Sequence, residues 1–565
     1  MMVKHSRVED EVQVEERLPK RTRLSTVDRL TRLSDELILR VLSYLPVSQL
    51  TVCERLSRKY QGLARDNQLW KRKYYARFVR PRADRVPGSV DGSIGHGGTI
   101  SSSEMRSWTG EEHLVKHGVR TAWKKQYKLR QNWTKGQAAV SEIPVSEQVS
   151  IPPVLVQMQS GIIYMADADG LRAWSTKAGR KMVAQISFDR SCQGSPPTAL
   201  SVDSKYDETR PRILVSFENG SFGVYDLDQD QALFRHLYTH PPSSNGVISA
   251  TALVWPYAVT MTATQSLSLY HFKQNTHRSD STVVVEPPRL LHSLRSRTVW
   301  PPLSTSLRVS PSAITISVAY ALPTYLSGWT VGLQEVRVSP SGNFLSSRVA
   351  SAIEQHYRPL AFAAPPLVQH LAAPVIGSLA TSIATELRHI HSKPTSLSYT
   401  HPYLLVSHPD NTLTLYLVTS TDDALSISTG SRLWGHTSSV SGAHVGNRGK
   451  AISVSKRGDE LRVWELEGGF GSTAAKKRLA TGELSVQIRS SREQQSSIGA
   501  CAASVDIVHQ AMQARRSSSC ATESRLEDAS ELTLTRGWVG FDEENVVLLK
   551  EQSHGKQALV VYDFT

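Results

Sequence analysis

At 565 residues, with 39% hydrophobic and 21% charged residues, the chain is too long for one compact domain and apolar enough for a sizeable core. Its formal charge of +14 is uneven: residues 1–135 hold 28 Lys+Arg against 15 Asp+Glu, whereas 136–565 hold 37 against 36. A basic first quarter beside a neutral remainder, with no recognised nucleic-acid motif, argues against a nucleic-acid-binding protein and equally suits an acidic protein partner.

Cys53, Cys192, Cys501 and Cys520 are scattered with no short ligand spacing, which argues against a zinc site and a disulfide framework and suits a reducing compartment. The N-terminal run MMVKHSRVEDEVQVEERL lacks the apolar core of a signal peptide, and no uninterrupted apolar run reaches transmembrane length. The expected location is therefore cytoplasmic and/or nuclear, with Lys20, Arg21 and Arg23 a candidate import cluster.

In chain order, residues 1–30 are charged, lack periodicity and are expected to form no fixed structure. Residues 31–80 are expected to form a helical domain. Leu37, Ile38, Val41, Leu42 and Leu45 fall at helical spacing, with Ser34 as predicted cap and Asp35 and Glu36 in the first turn. Pro46 ends that helix. Ser48 is the predicted cap of a second run in which Leu50, Cys53, Leu56, Tyr60, Leu63 and Ala64 keep the beat, closed by Leu69 and Trp70.

So short a module cannot bury all its apolar surface alone. Leu33, Glu36, Leu37, Ile38, Val41, Leu42, Tyr44, Leu45, Pro46, Leu50 and the ending DNQLW at 66–70 together resemble an F-box. Two positions depart from that pattern: Ser34 stands where Pro is usual, and Tyr60 where Trp is common. The resemblance implies binding of a Skp-type adaptor and, through it, a cullin scaffold. Leu33, Leu37, Ile38, Val41, Leu42, Leu45, Leu50 and Trp70 are the residues expected to carry or support that contact.

Residues 81–109, rich in Gly and Ser from Val86 to Ser103, read as a linker. Helical character returns at 110–136. Trp123, Tyr127, Arg130 and Trp133 line one edge beside Lys124, Lys125 and Lys128, so this stretch is expected to be a spacer helix. Trp133 and Gly136 in NWTKG resemble the segment that precedes the propeller in F-box proteins with WD repeats.

From residue 138 the period becomes two. Apolar, any, apolar, aromatic recurs as LRAW at 171–174, FGVY at 222–225, LSLY at 267–270, LTLY at 413–416, LRVW at 461–464 and LVVY at 559–562. The aromatic ends are 51, 45, 146, 48 and 98 residues apart, a unit near 48. The 146-residue gap holds a further hairpin, AITISVAYA and WTVGLQEVRV, which makes seven units, although six or eight also fit the spacing. Insertions are expected near 351–395 and 485–530.

Units of this length with four short strands signal β-propeller blades. The expected fold is multidomain: a small all-α F-box followed by an all-β, seven-bladed propeller at 138–565. Gly435-His436 before Trp464 resembles a WD repeat, which implies that His436, Ser453, Asp459 and Trp464 fasten that blade. Asp459 stands one residue nearer the Trp than the family pattern, whereas Asp410 keeps the register before Tyr416. Closure is expected to pair LVVYDFT with a strand from 140–160.

No phosphate-binding loop, nucleophile elbow or H-E-x-x-H pair is present. His113 and His117 share a helix face, but Leu114 stands where a metalloprotease needs Glu; His389 and His391 lack further ligands. No catalytic residue, metal or cofactor is therefore expected. Arg172, Arg457 and Arg462 beside blade turns are the candidates for target binding. The resemblance implies a non-catalytic substrate receptor of a Skp/cullin/F-box ubiquitin ligase; a non-degradative scaffold shares every motif.

Overall fold

The computed structural model describes residues 33–80, 121–148, 150, 153–177, 181–188, 194–203, 210–273, 285–296, 300–324, 328–352, 392–422, 424–446, 449–456, 458, 460–466, 485–490, 533–551 and 556–565. Within these the chain divides into two units, one of residues up to Ala76 with Ala122–Lys124, the other of Arg77 onward with Lys125–Thr565. Cys192, Cys501, Cys520, Lys20, Arg21, Arg23, His113, His117, His389 and His391 lie outside the described residues.

The first unit is built from α1 (Asp35–Tyr44), α2 (Val47–Cys53), α3 (Arg58–Ala64) and α4 (Asn67–Tyr74), followed by a π-helical turn at Tyr75–Val79. Its core is Ile38, Leu42, Leu50, Ala64 and Leu69, walled by Leu33, Leu45, Cys53, Tyr60 and Leu63. Roughly 1.5–3 kcal/mol per fully buried aliphatic side chain drives that packing.

Two expected caps are corrected. Ser34 does occupy the position before α1, in extended backbone, but its hydroxyl makes no capping bond. Ser48 lies inside α2, which begins at Val47 with Pro46 ahead of it. The single predicted second run is also two helices, because the chain breaks at 54–57 and leaves Leu56 exposed. Ser57 and Asp66 are the side chains that cap, accepting from the N–H groups of Tyr60 and Leu69 at 3.3 and 2.9 Å. The C-terminal end of α1 is held by Lys73, whose ammonium donates to Ser43 O and Leu45 O, both at 2.7 Å. A cation there satisfies orphan carbonyls at the negative end of the helix dipole.

Helix α5 (Trp123–Lys135) falls within the expected spacer 110–136, of which residues up to 120 lie outside the described residues. Its first two residues belong to the helical unit: the Trp123 N–H donates to Asn67 Oδ1 at 3.0 Å, and Lys124 pairs with Glu54. The remainder belongs to the β-unit. There Trp133 stacks on Phe564 at 3.9 Å, and its indole N–H donates to Glu543 O at 2.8 Å.

The β-unit is a seven-bladed propeller. Strand β1 (Gln137–Ser146) is followed by blade 1, β2–β5 (Leu155–Gln159, Ile162–Ala166, Gly170–Ser175, Met182–Ser187). Blade 2 is β6–β9 (Pro197–Val202, Arg212–Phe217, Phe222–Asp228, Leu233–His240), and blade 3 is β10–β13 (Ile248–Val254, Tyr257–Thr262, Ser266–His271, Arg289–Arg295). Blade 4 is β14–β17 (Trp300–Val309, Ile314–Thr324, Gly328–Val338, Phe344–Ser351). Blade 5 is β18–β22 (Ser396–Thr400, Tyr403–Ser407, Thr412–Ser420, Leu425–Ile427, Ser431–Trp434). Blade 6 is β23–β26 (Val440–Val445, Lys450–Ser455, Leu461–Glu465, Ser485–Gln487). Blade 7 takes β27 (Arg489–Ser490), β28 (Thr533–Phe541), β29 (Asn545–Glu551) and β30 (Gln557–Asp563) together with β1.

Every aromatic-ended motif is the third strand of its blade, and the 146-residue gap holds blade 4. The first strands neighbour one another from β2 round to β28 and back to β2. An apolar cluster fills each of the seven seams between blades. The ring closes as predicted: β1 runs antiparallel to β30, from Ala139 opposite Asp563 to Ser146 opposite Gln557.

Gly136 makes the junction between α5 and β1 possible. Its φ is +66°, and an added Cβ would lie 2.2 Å from Gln487 O. Gly136→Ala should therefore destabilise the chain by at least about 1–3 kcal/mol, the usual cost of a left-handed side-chain-bearing residue. Thermal unfolding checks this, and an unchanged Tm would show that the junction is not tight.

Candidate functional site

Helix α1 carries two apolar stripes, and the structure separates them. Ile38 and Leu42 are 3% and 2% exposed, inside the core; Leu37, Val41 and Tyr44, at i, i+4 and i+7, are 51%, 52% and 76% exposed. Val52 and Leu56 are exposed as well. Of the other residues expected to carry or support adaptor contact, Leu50 and Trp70 are buried, and Leu33 and Leu45 are half-buried against the core. Trp70 spends its indole N–H on Ala64 O at 2.7 Å. An apolar face that the helical core does not use is surface available to another protein. Tyr44, Val52 and Leu56 were absent from the expected contact residues; at Tyr44 the signal was its spacing from Leu37 and Val41.

In blade 6, His436, Ser453 and Trp464 come together as expected. His436 Nε2 lies 2.5 Å from Ser453 Oγ, and the Trp464 indole N–H donates to that same oxygen at 2.7 Å. Asp459 lies outside the described residues. The carboxylate that reaches the histidine is Glu460, with Oε2 3.4 Å from His436 Nδ1. Glu460 also accepts from the Thr437 N–H at 2.8 Å and Arg462 Nε at 2.7 Å. Burial works to raise its pKa, but those hydrogen bonds and the neighbouring His436 outweigh it and hold Glu460 below the usual carboxylate range. A Glu one residue beyond the displaced Asp was the signal that the sequence offered.

Asp410 fastens blade 5 differently. Its Oδ1 accepts from the Thr412 N–H at 2.8 Å and hydroxyl at 2.6 Å, and its Oδ2 pairs with Arg432. His408, buried beside it, is pushed down to about 4, chiefly by burial, and shares a 2.8 Å hydrogen bond with Thr414.

Two of the three target-binding candidates have partners within the chain. Arg172 pairs with Asp167 at 3.0 Å and Asp169 at 3.6 Å, and Arg462 holds Glu460 and Ser485; Arg457 lies outside the described residues. Among the described residues no group of three or more His, Cys, Asp or Glu is placed to hold a metal, and no helix is long and apolar enough to cross a membrane.

Ser453→Ala should leave two buried groups, His436 Nε2 and the Trp464 indole N–H, without their shared partner and cost about 2–6 kcal/mol, since each unsatisfied buried group costs roughly 1–3; urea unfolding measures it. His408 is kept neutral in the fold but is free to protonate when unfolded, so its contribution to stability is lost as pH falls from 6.5 towards 4. His408→Asn should flatten the fall in Tm over that window.

Residues 32–76 match the F-box-like family, and residues 138–565 match the family described as F-box protein pof12 beta-propeller. F-box protein pof12 of Schizosaccharomyces pombe is 41% identical over 64 residues, 11% of this chain and 14% of that protein, so the aligned part spans a small fraction of that relative. Among solved structures, the β-propeller domain of Cps50 (Swd1) from Myceliophteria thermophila is 9% identical, covering 75% of this chain and all of that one, with a TM-score of 0.38. U3-55K is 8% identical, covering 75% and 98%, with a TM-score of 0.39. With an F-box-like segment at its N-terminal end and a family match that takes in every blade, the chain belongs to the pof12-type F-box β-propeller family.

Proposed function

We propose that this chain is the substrate-recognition subunit of a Skp/cullin/F-box ubiquitin ligase. The observation that carries the reading is the exposed stripe of Leu37, Val41 and Tyr44 on the F-box-like segment, apolar surface that the chain's own core leaves uncovered. A Skp-type adaptor covers it and bridges to a cullin, while the propeller holds a target protein. Residues 31–80 act as the docking domain, 81–109 as a linker and 110–136 as a spacer. The mechanism is positioning: holding the target beside a ubiquitin-charged enzyme raises effective concentration without covalent chemistry by this chain. No cofactor takes part, and the complex works in the cytoplasm and/or nucleus.

The test is co-purification of the full chain with a Skp-type adaptor. Leu37→Glu with Val41→Glu should reduce recovery more than about tenfold, because burying unpaired carboxylates is costly, and leave the Tm unchanged. Leu42→Ala should instead destabilise the helical unit by about 2–5 kcal/mol. Equal recovery of wild type and the double Glu variant would contradict the reading, and adaptor complexes that never contain a cullin would convert it to a non-degradative scaffold.

A further inference from the structure

Among the described residues of the propeller, eight large apolar side chains are exposed, and four of them share one flank. Leu290 on β13 and Phe344, Leu345 and Val349 on β17, the outermost strands of blades 3 and 4, are 51%, 47%, 50% and 62% exposed. Two contacts join these strands. His292 stacks on Phe344 with ring centroids 5.4 Å apart, and the turn before β17 lies against Leu291, 3.2 Å from where a Cβ on Gly342 would sit. Leu291 and Leu294 pack into the seam between the two blades, whereas the four exposed residues belong to no apolar cluster among the described residues. Apolar residues scattered singly over a surface are ordinary; a group on adjoining strands marks a surface that something covers.

The chain that leaves β17 has the chemistry to do so. Strand β17 ends at Ser351 and β18 begins at Ser396, and residues 353–391 between them lie outside the described residues. Within that insertion, residues 359–385 form 27 consecutive positions without Lys, Arg, Asp or Glu, in a chain that is 21% charged. Leu360, Phe362, Leu367, Val368, Leu371 and Val375 are among them. Segments that stay solvated are poor in apolar residues and rich in charge, and this one is the reverse. We propose that residues 359–385 of the chain itself dock on the outer flank of β13 and β17 and cover Leu290, Phe344, Leu345 and Val349. The tether is long enough: eight steps of extended chain from Ser351 to Pro359 reach about 26 Å, and β17 runs back to Phe344 over about 23 Å at roughly 3.3 Å per residue. An occupant attached beside the patch meets it at the effective concentration of an intramolecular partner, whereas a second copy or a separate protein would surrender its full translational and rotational freedom. Being uncharged, it also carries no carboxylate or ammonium into apolar surroundings.

The test is photo-cross-linking in the full chain, with benzoylphenylalanine introduced genetically in place of Val349. Irradiation should join position 349 to residues 359–385, read by mass spectrometry of the digested product. In an equal mixture of isotope-labelled and unlabelled chain, both halves of each cross-link should carry the same label. A second arm uses proteolysis. Phe344→Ser with Val349→Ser should speed chymotryptic cleavage after Phe362 at least about fivefold, because cleavage follows the fraction of molecules in which the segment is uncovered. Met182→Ser, which removes an exposed apolar side chain from blade 1, should leave that rate unchanged. All three substitutions fall on exposed side chains, so the Tm should stay that of wild type, which separates uncovering from unfolding. Cross-links confined to other parts of the chain would overturn the proposal, as would cross-links of mixed label, which would make a second copy the occupant. Equal cleavage of wild type and the double Ser variant would overturn it as well.

Discussion

The pairing of β1 with β30 is the contact on which the propeller depends. A ring of sheets is free of raw edges at its seam only when its last blade is completed, and here the missing strand comes from more than 400 residues earlier in the chain. That one pairing fixes the start of the ring beside its end. It also explains the chemistry immediately upstream: Trp133 lies on Phe564, Asn132 donates to Phe564 O at 2.8 Å, and Gly136 turns the chain where no Cβ fits. The helix before the ring is thus seated on blades 6 and 7 by the same residues that close it.

The helical unit obeys a different economy. Its core is small, and it is completed by caps and by Lys73 on the end of α1 rather than by more apolar burial. One stripe of α1 suffices for that core. The second stripe, at Leu37, Val41 and Tyr44, stays half or more exposed among the described residues, and on the proposed reading a partner covers it.

Much of the fold was legible because two periodicities are distinct. The third strand of a blade must place apolar residues on a buried face, so LRAW, FGVY, LSLY, LTLY, LRVW and LVVY announced themselves. The third strand of blade 4 broke the pattern because its buried centre is Glu335, which sequence alone reads as surface; its counter-ions come from β14 and β17 and its Ser420 partner from β20. Helical spacing likewise showed that α1 is apolar on two stripes but not which one faces inward, since that depends on where Leu50, Ala64 and Leu69 arrive. Ser48 misled for a related reason: a capping residue type predicts a nearby helix start, but α2 starts one residue earlier, after Pro46, whereas Ser34 does precede α1 and lacks only the capping bond.

The buried carboxylates of Glu335 and Glu460 are paired, Glu335 with arginines from β14 and β17 and Glu460 with Arg462, and removing one partner of such a pair is strongly destabilising. The central claim is put to the test at the exposed stripe of α1, Leu37, Val41 and Tyr44. Amide hydrogen exchange across residues 35–56 of the full chain, with and without a saturating Skp-type adaptor, addresses it directly. The account predicts exchange slowed at least about tenfold in α1 and α2, by mass action on a bound state, with the blades unchanged. Unaltered exchange at 35–56, or protection confined to the propeller, would contradict it.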